Sequence, residues 1–202
     1  MYVPNHFRED RPDVLHKAVR KIGFATLVTH DAEGGLEANH LPMLLQEADG
    51  GHVLRGHVAR ANPVWKSGDG AALAIFLGPH AYVSPSWYPS KAETGKAVPT
   101  WNYITVHAKG PIRWIQDADW LRAHVTALSN AHESPRPDPW AVSDAPAGYV
   151  DGLLRAIVGF ELSIETLEGK YKLSQNRPES DRQGVRDAFT REGRDDIARL
   201  MT

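Results

Sequence analysis

The stretch Phe24-Ala25-Thr26-Leu27-Val28-Thr29-His30-Asp31-Ala32-Glu33-Gly34-Gly35-Leu36-Glu37-Ala38-Asn39-His40-Leu41-Pro42-Met43-Leu44-Leu45 decides the fold class. Residues 24–29 are β-prone, residues 31–35 carry turn chemistry, and residues 36–45 resume a strand pattern, which together predict a hairpin. Outward from it, Asp49-Gly50-Gly51 makes a second turn, residues 52–58 read as a strand, and Asn62-Pro63 breaks it. Residues 71–77 and 81–84 continue as two strands split by Gly78-Pro79. Residues 101–116 form a long strand bent at Gly110-Pro111, and residues 157–166 alternate at Val158, Phe160, Leu162 and Ile164. Helical signals are confined to residues 11–21, 117–131 (capped by Asp117 or Asp119), 149–156, and the segments around 181–190 and 195–201. So many β-segments without a regular strand–helix alternation predict an antiparallel barrel decorated by helices, not a doubly wound parallel sheet.

A chain of 202 residues fits one domain, and 42% hydrophobic with 24% charged residues is enough apolar material for a continuous core. The formal charge of −2 supplies no global field for nucleic acid or anionic lipid. There is no cysteine, which removes disulfides, thiolate metal sites and cysteine nucleophiles, and fits a reducing cytoplasm. Residues 1–10 lack a basic start followed by an apolar stretch, and no apolar run approaches the roughly 18 residues a membrane span requires. A soluble cytoplasmic protein with no membrane partner is the expectation.

The common nucleotide and hydrolase signatures are missing: no GxGxxG, no GxxxxGK[ST], no GxSxG. Ten histidines invite a metal reading, but none forms HExxH, and His132-Glu133-Ser134-Pro135 stops at the proline. His52 and His57, five apart, fall on opposite faces of a strand. No metal site is expected, and a single axial histidine for haem stays compatible with the spacing.

Three segments carry candidate binding groups. Arg60 and Asn62 stand at the end of the strand that holds Gly56-His57-Val58-Ala59; a planar guanidinium beside an amide suits a phosphate, and a solvated loop arginine is the plain alternative. Tyr82-Val83-Ser84-Pro85-Ser86-Trp87-Tyr88 and Val98-Pro99-Thr100-Trp101-Asn102-Tyr103 set large aromatics among hydroxyls and an amide, as a flat ring requires, although the same rings also serve as core or interface packing. The loop at residues 85–99 is a candidate site wall. Lys172-Leu173-Ser174-Gln175-Asn176-Arg177 is dense in donors and suits a phosphate, a partner subunit, or simply a surface linker.

The blocks Asn39-His40-Leu41-Pro42, Gly56 to Pro63, Tyr82 to Tyr88, Val98 to Tyr103 and Lys170 to Asn176, in that order and with the opening Met1-Tyr2-Val3-Pro4-Asn5-His6-Phe7, resemble the PaiB-type family of FMN-binding negative transcriptional regulators over residues 1 to about 190. The resemblance implies a mainly β (α+β) antiparallel split β-barrel of the FMN-binding type with peripheral helices, related to pyridoxamine-phosphate oxidase and flavin reductases. It implies one domain over residues 1–202 with a helical extension from about 179, a homodimer, and FMN as cofactor. Carried over by position, Arg60 and Asn62, with Lys172, become contacts to the FMN phosphate. His40, Ser84, Thr100, Trp101, Gln175 and Asn176 become ring or ribityl contacts.

A transcriptional regulator that reads DNA directly needs a basic element. Residues 179–202 hold five arginines against six acidic side chains, a poor recognition surface. The functional expectation is therefore a flavin-dependent sensor or regulator acting indirectly or through a patch that the dimer assembles. A flavin-dependent oxidoreductase and a haem-binding barrel are the alternatives, and no catalytic residue is legible.

Overall fold

The computed structural model describes every residue except Ala32, Asp49 and Thr202, so the turn expectations at Ala32 and Asp49 lie outside the described residues. The strands are β1 (Arg8–Glu9), β2 (Phe24–His30), β3 (Leu36–Pro42), β4 (Leu44–Ala48), β5 (Gly51–Ala59), β6 (Gly70–Val83), β7 (Thr100–Ile115), β8 (Ile157–Ser163) and β9 (Thr166–Lys172). The helices are α1 (Pro12–Ile22), α2 (Ser90–Thr94), α3 (Ala118–Glu133), α4 (Ala147–Arg155), α5 (Glu179–Arg191) and α6 (Asp195–Ala198). The chain forms two compact units: Met1–Ala18, Phe76–His107 and Glu168–Thr202 make the first, and Val19–Ile75 with Ala108–Leu167 the second.

In the second unit the expected hairpin is present. β2 and β3 pair antiparallel from Phe24↔Pro42 to His30↔Leu36, and the Asp31 carboxylate closes the turn by accepting from the Gly35 amide at 2.7 Å. Burial alternates along β2, with Ala25, Leu27 and Thr29 inward and Phe24 and His30 outward, the period a half-buried strand requires. The expected strand over 36–45 divides at Met43. Pro42 has no N–H to continue the β2 ladder, and Met43 donates to Gly23 O instead (2.7 Å), after which β4 pairs with β5. β5 in turn pairs with β8 from Val53↔Ser163 to Ala59↔Ile157.

Two further expectations are corrected. Gly78-Pro79 does not split β6, which runs unbroken from Gly70 to Val83; the β2–β6 register ends at Ile75, so at Pro79 no ladder bond to β2 is lost. The strand expected over 157–166 ends at Ser163, and Thr166 opens a separate strand, β9, up to Lys172. Asp117, not Asp119, caps α3, accepting from Trp120 N at 2.8 Å. Among the described residues no helix is long and apolar enough to cross a membrane.

One buried polar contact in the second unit follows from a glycine. Gly159 pairs with His57 across β5 and β8, and a Cβ at 159 would lie 2.2 Å from the Trp120 ring. The missing side chain thus admits Trp120. One helical turn on, His124 stacks on Trp120 (centroids 5.3 Å apart) and its Nε2 lies 3.1 Å from His57 Nδ1. His124 Nδ1 is buried without a partner. A bare lone pair there costs less than a bare N–H, so His124 Nε2–H is the donor and His57 Nδ1 the acceptor.

Burial, then the His57 ring and the Arg55 charge, push His124 down to about 4, and burial lowers His57 as well. Groups depressed below their ordinary value contribute their full stability above pH ~6.5 and lose it as pH falls towards the folded value. Acidification from about pH 7 to about pH 4 should therefore remove about 3 kcal/mol through His124. Urea unfolding of wild type and His124→Phe at both pH values checks this. The variant should lose about 3 kcal/mol less than the wild type between the two pH values, and equal losses in both proteins would contradict the assignment.

Candidate functional site

In the first unit, three strands carry one outer face. β6 neighbours β7, and β7 pairs with β9. On β6, Ala81 and Val83 are buried while His80 and Tyr82 face out; on β7, Asn102 and Ile104 are buried while Trp101 is exposed. Strand alternation thus puts His80, Tyr82, Trp101 and Tyr103 on one side. Tyr82 meets Trp101 edge-on (6.2 Å) and His80 lies 6.3 Å from it. About half of Trp101 and of Tyr82 is open to solvent, 53% and 47% respectively. Lys170 and Lys172 follow the same two-residue period on β9.

Lys172 is the chemically informative member. Its ammonium, half-buried, donates to Thr100 Oγ1 and Trp101 O, each at 2.5 Å, and lies 5.8 Å from the Phe7 ring centroid. Its partners are neutral oxygens. Burial, and then the positive charges of Lys170 and Arg177, lower its pKa. Lys170 itself sits 5.5 Å from the Tyr103 ring centroid and donates to Tyr2 O. A desolvated cation with two cationic neighbours is the arrangement that a phosphate dianion stabilises.

The loop that begins at Ser84 is held by the C-terminal helices. Ser84 caps a short 3-10 turn over Pro85–Trp87, accepting from Ser86 N. The Asp181 carboxylate, fully buried, accepts from both the amide and the hydroxyl of Ser90 (3.0 and 2.7 Å). Trp87 packs edge-on against Phe189, and Arg177 lies 4.8 Å above the Tyr88 ring. Gly184 makes this approach possible, because a Cβ there would fall 2.2 Å from Trp87 O. The expected 85–99 loop is thus an ordered segment containing α2, braced from α5.

The nine sequence-derived site residues fall into two sets. Ser84, Thr100, Trp101, Lys172, Gln175 and Asn176 belong to the first unit, and His40, Arg60 and Asn62 to the second. Thr100, Trp101 and Lys172 meet directly. Gln175 braces its own turn, accepting from Leu173 N and donating to Tyr171 O, next to Ser174, whose φ of 67° is left-handed and whose hydroxyl accepts from the buried Asn102 amide (3.0 Å). Asn176 is exposed.

In the second unit, Arg60 Nε donates to Arg155 O, Nη1 to Gln116 Oε1 and Nη2 to Ile157 O, at 2.6 to 3.0 Å. Asn62 donates to Asn39 Oδ1 and caps the next turn through Val64 N. His40 Nδ1 lies 3.0 Å from Thr26 Oγ1. Arg60 and Asn62 thus have structural duties within the chain, which adjacent residues did not reveal because the partners of Arg60 lie 56 to 97 positions away. His80, Tyr82, Tyr103 and Lys170 were absent from the sequence-derived set; the two-residue alternation with Trp101 and Lys172 was the signal that could have found them.

An antiparallel sheet with peripheral helices is the architecture of a split β-barrel. The profile of the family described as "Putative FMN-binding domain" matches residues 1–166. The protease synthase and sporulation protein PAI 2 of Bacillus subtilis is 34% identical over 187 residues, 92% of this chain and 87% of that protein. Among solved structures, a conserved hypothetical protein of Mycobacterium tuberculosis superposes with a TM-score of 0.60 at 10% identity, over 88% of this chain and 94% of that one. The FAD and heme binding protein of Mycobacterium smegmatis gives 0.56 at 13% identity, over 82% and 73%. The chain belongs to the PaiB-type family of FMN-binding proteins, and FMN is the cofactor of that family.

Replacing Gly184 by alanine should lower stability by about 1–3 kcal/mol, the usual cost of overpacking, since the clash is with main chain and not with a movable side-chain tip. Denaturant unfolding measures it; an unchanged midpoint would mean that α5 does not clamp the loop.

Proposed function

We propose that this protein is a flavin-dependent sensor or regulator that works as an FMN-loaded homodimer, with the cofactor held at the outer face of β6, β7 and β9. The observation that carries the reading is the half-buried Lys172 ammonium, supported by neutral oxygens and pressed by two further cations. Lys172, with Lys170 and Arg177, holds the phosphate; Trp101 and Tyr82 offer the isoalloxazine an aromatic surface; Thr100 and Ser84 supply hydroxyls for its polar edge or the ribityl chain. When bound, FMN supplies hydride and electron chemistry. The chain's own part is to bind, orient and partly desolvate.

Dimer formation is supported by apolar groups left outside on the β2–β3 hairpin, where Phe24 is 57% and Leu36 76% exposed. The near-balanced charge of residues 179–202 supports control through the flavin-loaded dimer and its partners in preference to a DNA-reading helix.

Fluorescence titration of FMN into the cofactor-free protein tests the site. Lys172→Gln should weaken binding by about 1.5–3 kcal/mol, roughly ten- to hundredfold. A dissociation constant equal to that of the wild type would remove Lys172 from the phosphate site.

A further inference from the structure

The second unit contains a cavity of about 380 Å³ walled by the end of β5, the first turns of α3 and the C-terminal end of α4. Its lining combines Arg60 and Arg155 with Asp119 and, from the two helices, Leu121 and Leu154. It shares no residue with the aromatic face of the first unit.

Its charges are arranged in a specific way. Arg122 and Asp151, which also line it, form an ion pair and cancel each other. Arg60 is fixed by three bonds, all to neutral acceptors, and lies 5.9 Å from the Trp65 ring centroid, so its orientation is set while, among the described residues, no carboxylate pairs with its charge. Each of its two terminal nitrogens keeps one further N–H. Arg155 lends its main-chain carbonyl to Arg60, and no acidic side chain pairs with its guanidinium among the described residues. Asp119, in the first turn of α3, likewise has no cationic partner there. The cavity therefore offers two open guanidiniums and one open carboxylate above an aliphatic floor of Leu121 and Leu154, both buried.

A simple anion would satisfy the arginines and be repelled by Asp119; a simple cation would meet the reverse. A zwitterion meets both, with its carboxylate against guanidinium forks, its ammonium at the aspartate and its apolar part on the leucines. We propose that this cavity binds an apolar α-amino acid, a second ligand site separate from the flavin.

The test is isothermal titration of the full chain with three probes of matched carbon skeleton: L-leucine, 4-methylpentanoate lacking the amine, and isoamylamine lacking the carboxylate. Leucine should bind saturably, and each truncated probe should bind at least roughly tenfold more weakly, the worth of one charged hydrogen bond. Arg155→Gln, at an exposed side chain, should weaken leucine binding at least roughly tenfold, by the same reckoning, while leaving FMN affinity and the melting temperature unchanged. Asp119→Asn should weaken leucine but not 4-methylpentanoate. The proposal is overturned if leucine shows no saturable heat, if 4-methylpentanoate matches it, or if Arg155→Gln binds leucine as the wild type does.

Discussion

The face built by β6, β7 and β9 depends on one electrostatic constraint: Lys172 is taken partly out of water, and among the described residues no carboxylate pairs with it. Its two acceptors are a hydroxyl and a carbonyl, and the charges acting on it are those of Lys170 and Arg177. Holding a cation there costs free energy in the empty protein, as its depressed pKa reflects. Under the function proposed above, the two negative charges of the FMN phosphate would relieve that cost on binding. The strand alternation that buries Ala81, Val83, Asn102 and Ile104 beneath the same strands turns Tyr82 and Trp101 outward beside the lysine, so the core and the site are two faces of one β pattern.

The second-unit helices and the C-terminal helices serve comparable ends by different means. Gly159 admits Trp120, and through it the His57–His124 contact between β5 and α3. Gly184 admits the Trp87 carbonyl, and Asp181 takes both donors of Ser90. In each case the absence of a side chain brings a helix close enough for a polar contact to form in a dry setting, where it is worth more than in water. The loop bearing Ser84 is thereby fixed from segments beyond the residues that the family profile matches.

Much of the strand pattern was legible because it rests on period-two alternation and on turn residues: the β2–β3 hairpin, β5, β7 and β8 all fall close to where Val, Ile, Leu and Phe alternate between Gly, Asp and Pro. What misled was context. Pro79 breaks a strand only where its missing N–H is needed, and β9 escaped because Thr166 reads as the end of the preceding strand and the alternate positions after it are the charged Glu168, Lys170 and Lys172. Thr100, Trp101 and Lys172, carried over from the family resemblance, do come together in space. The duties of Arg60 and Gln175 were not legible, since both bond to main-chain carbonyls, and main-chain acceptors leave no trace in the identity of a residue.

The proposed function has the cations of β9 and the aromatic rings of β6 and β7 receive a phosphorylated flavin. A crystal structure of the protein grown with FMN should then show the phosphate at the Lys172 ammonium and the ring system against Trp101 and Tyr82; a phosphate seated on Arg60 and Asn62, with Lys172 untouched, would contradict that reading.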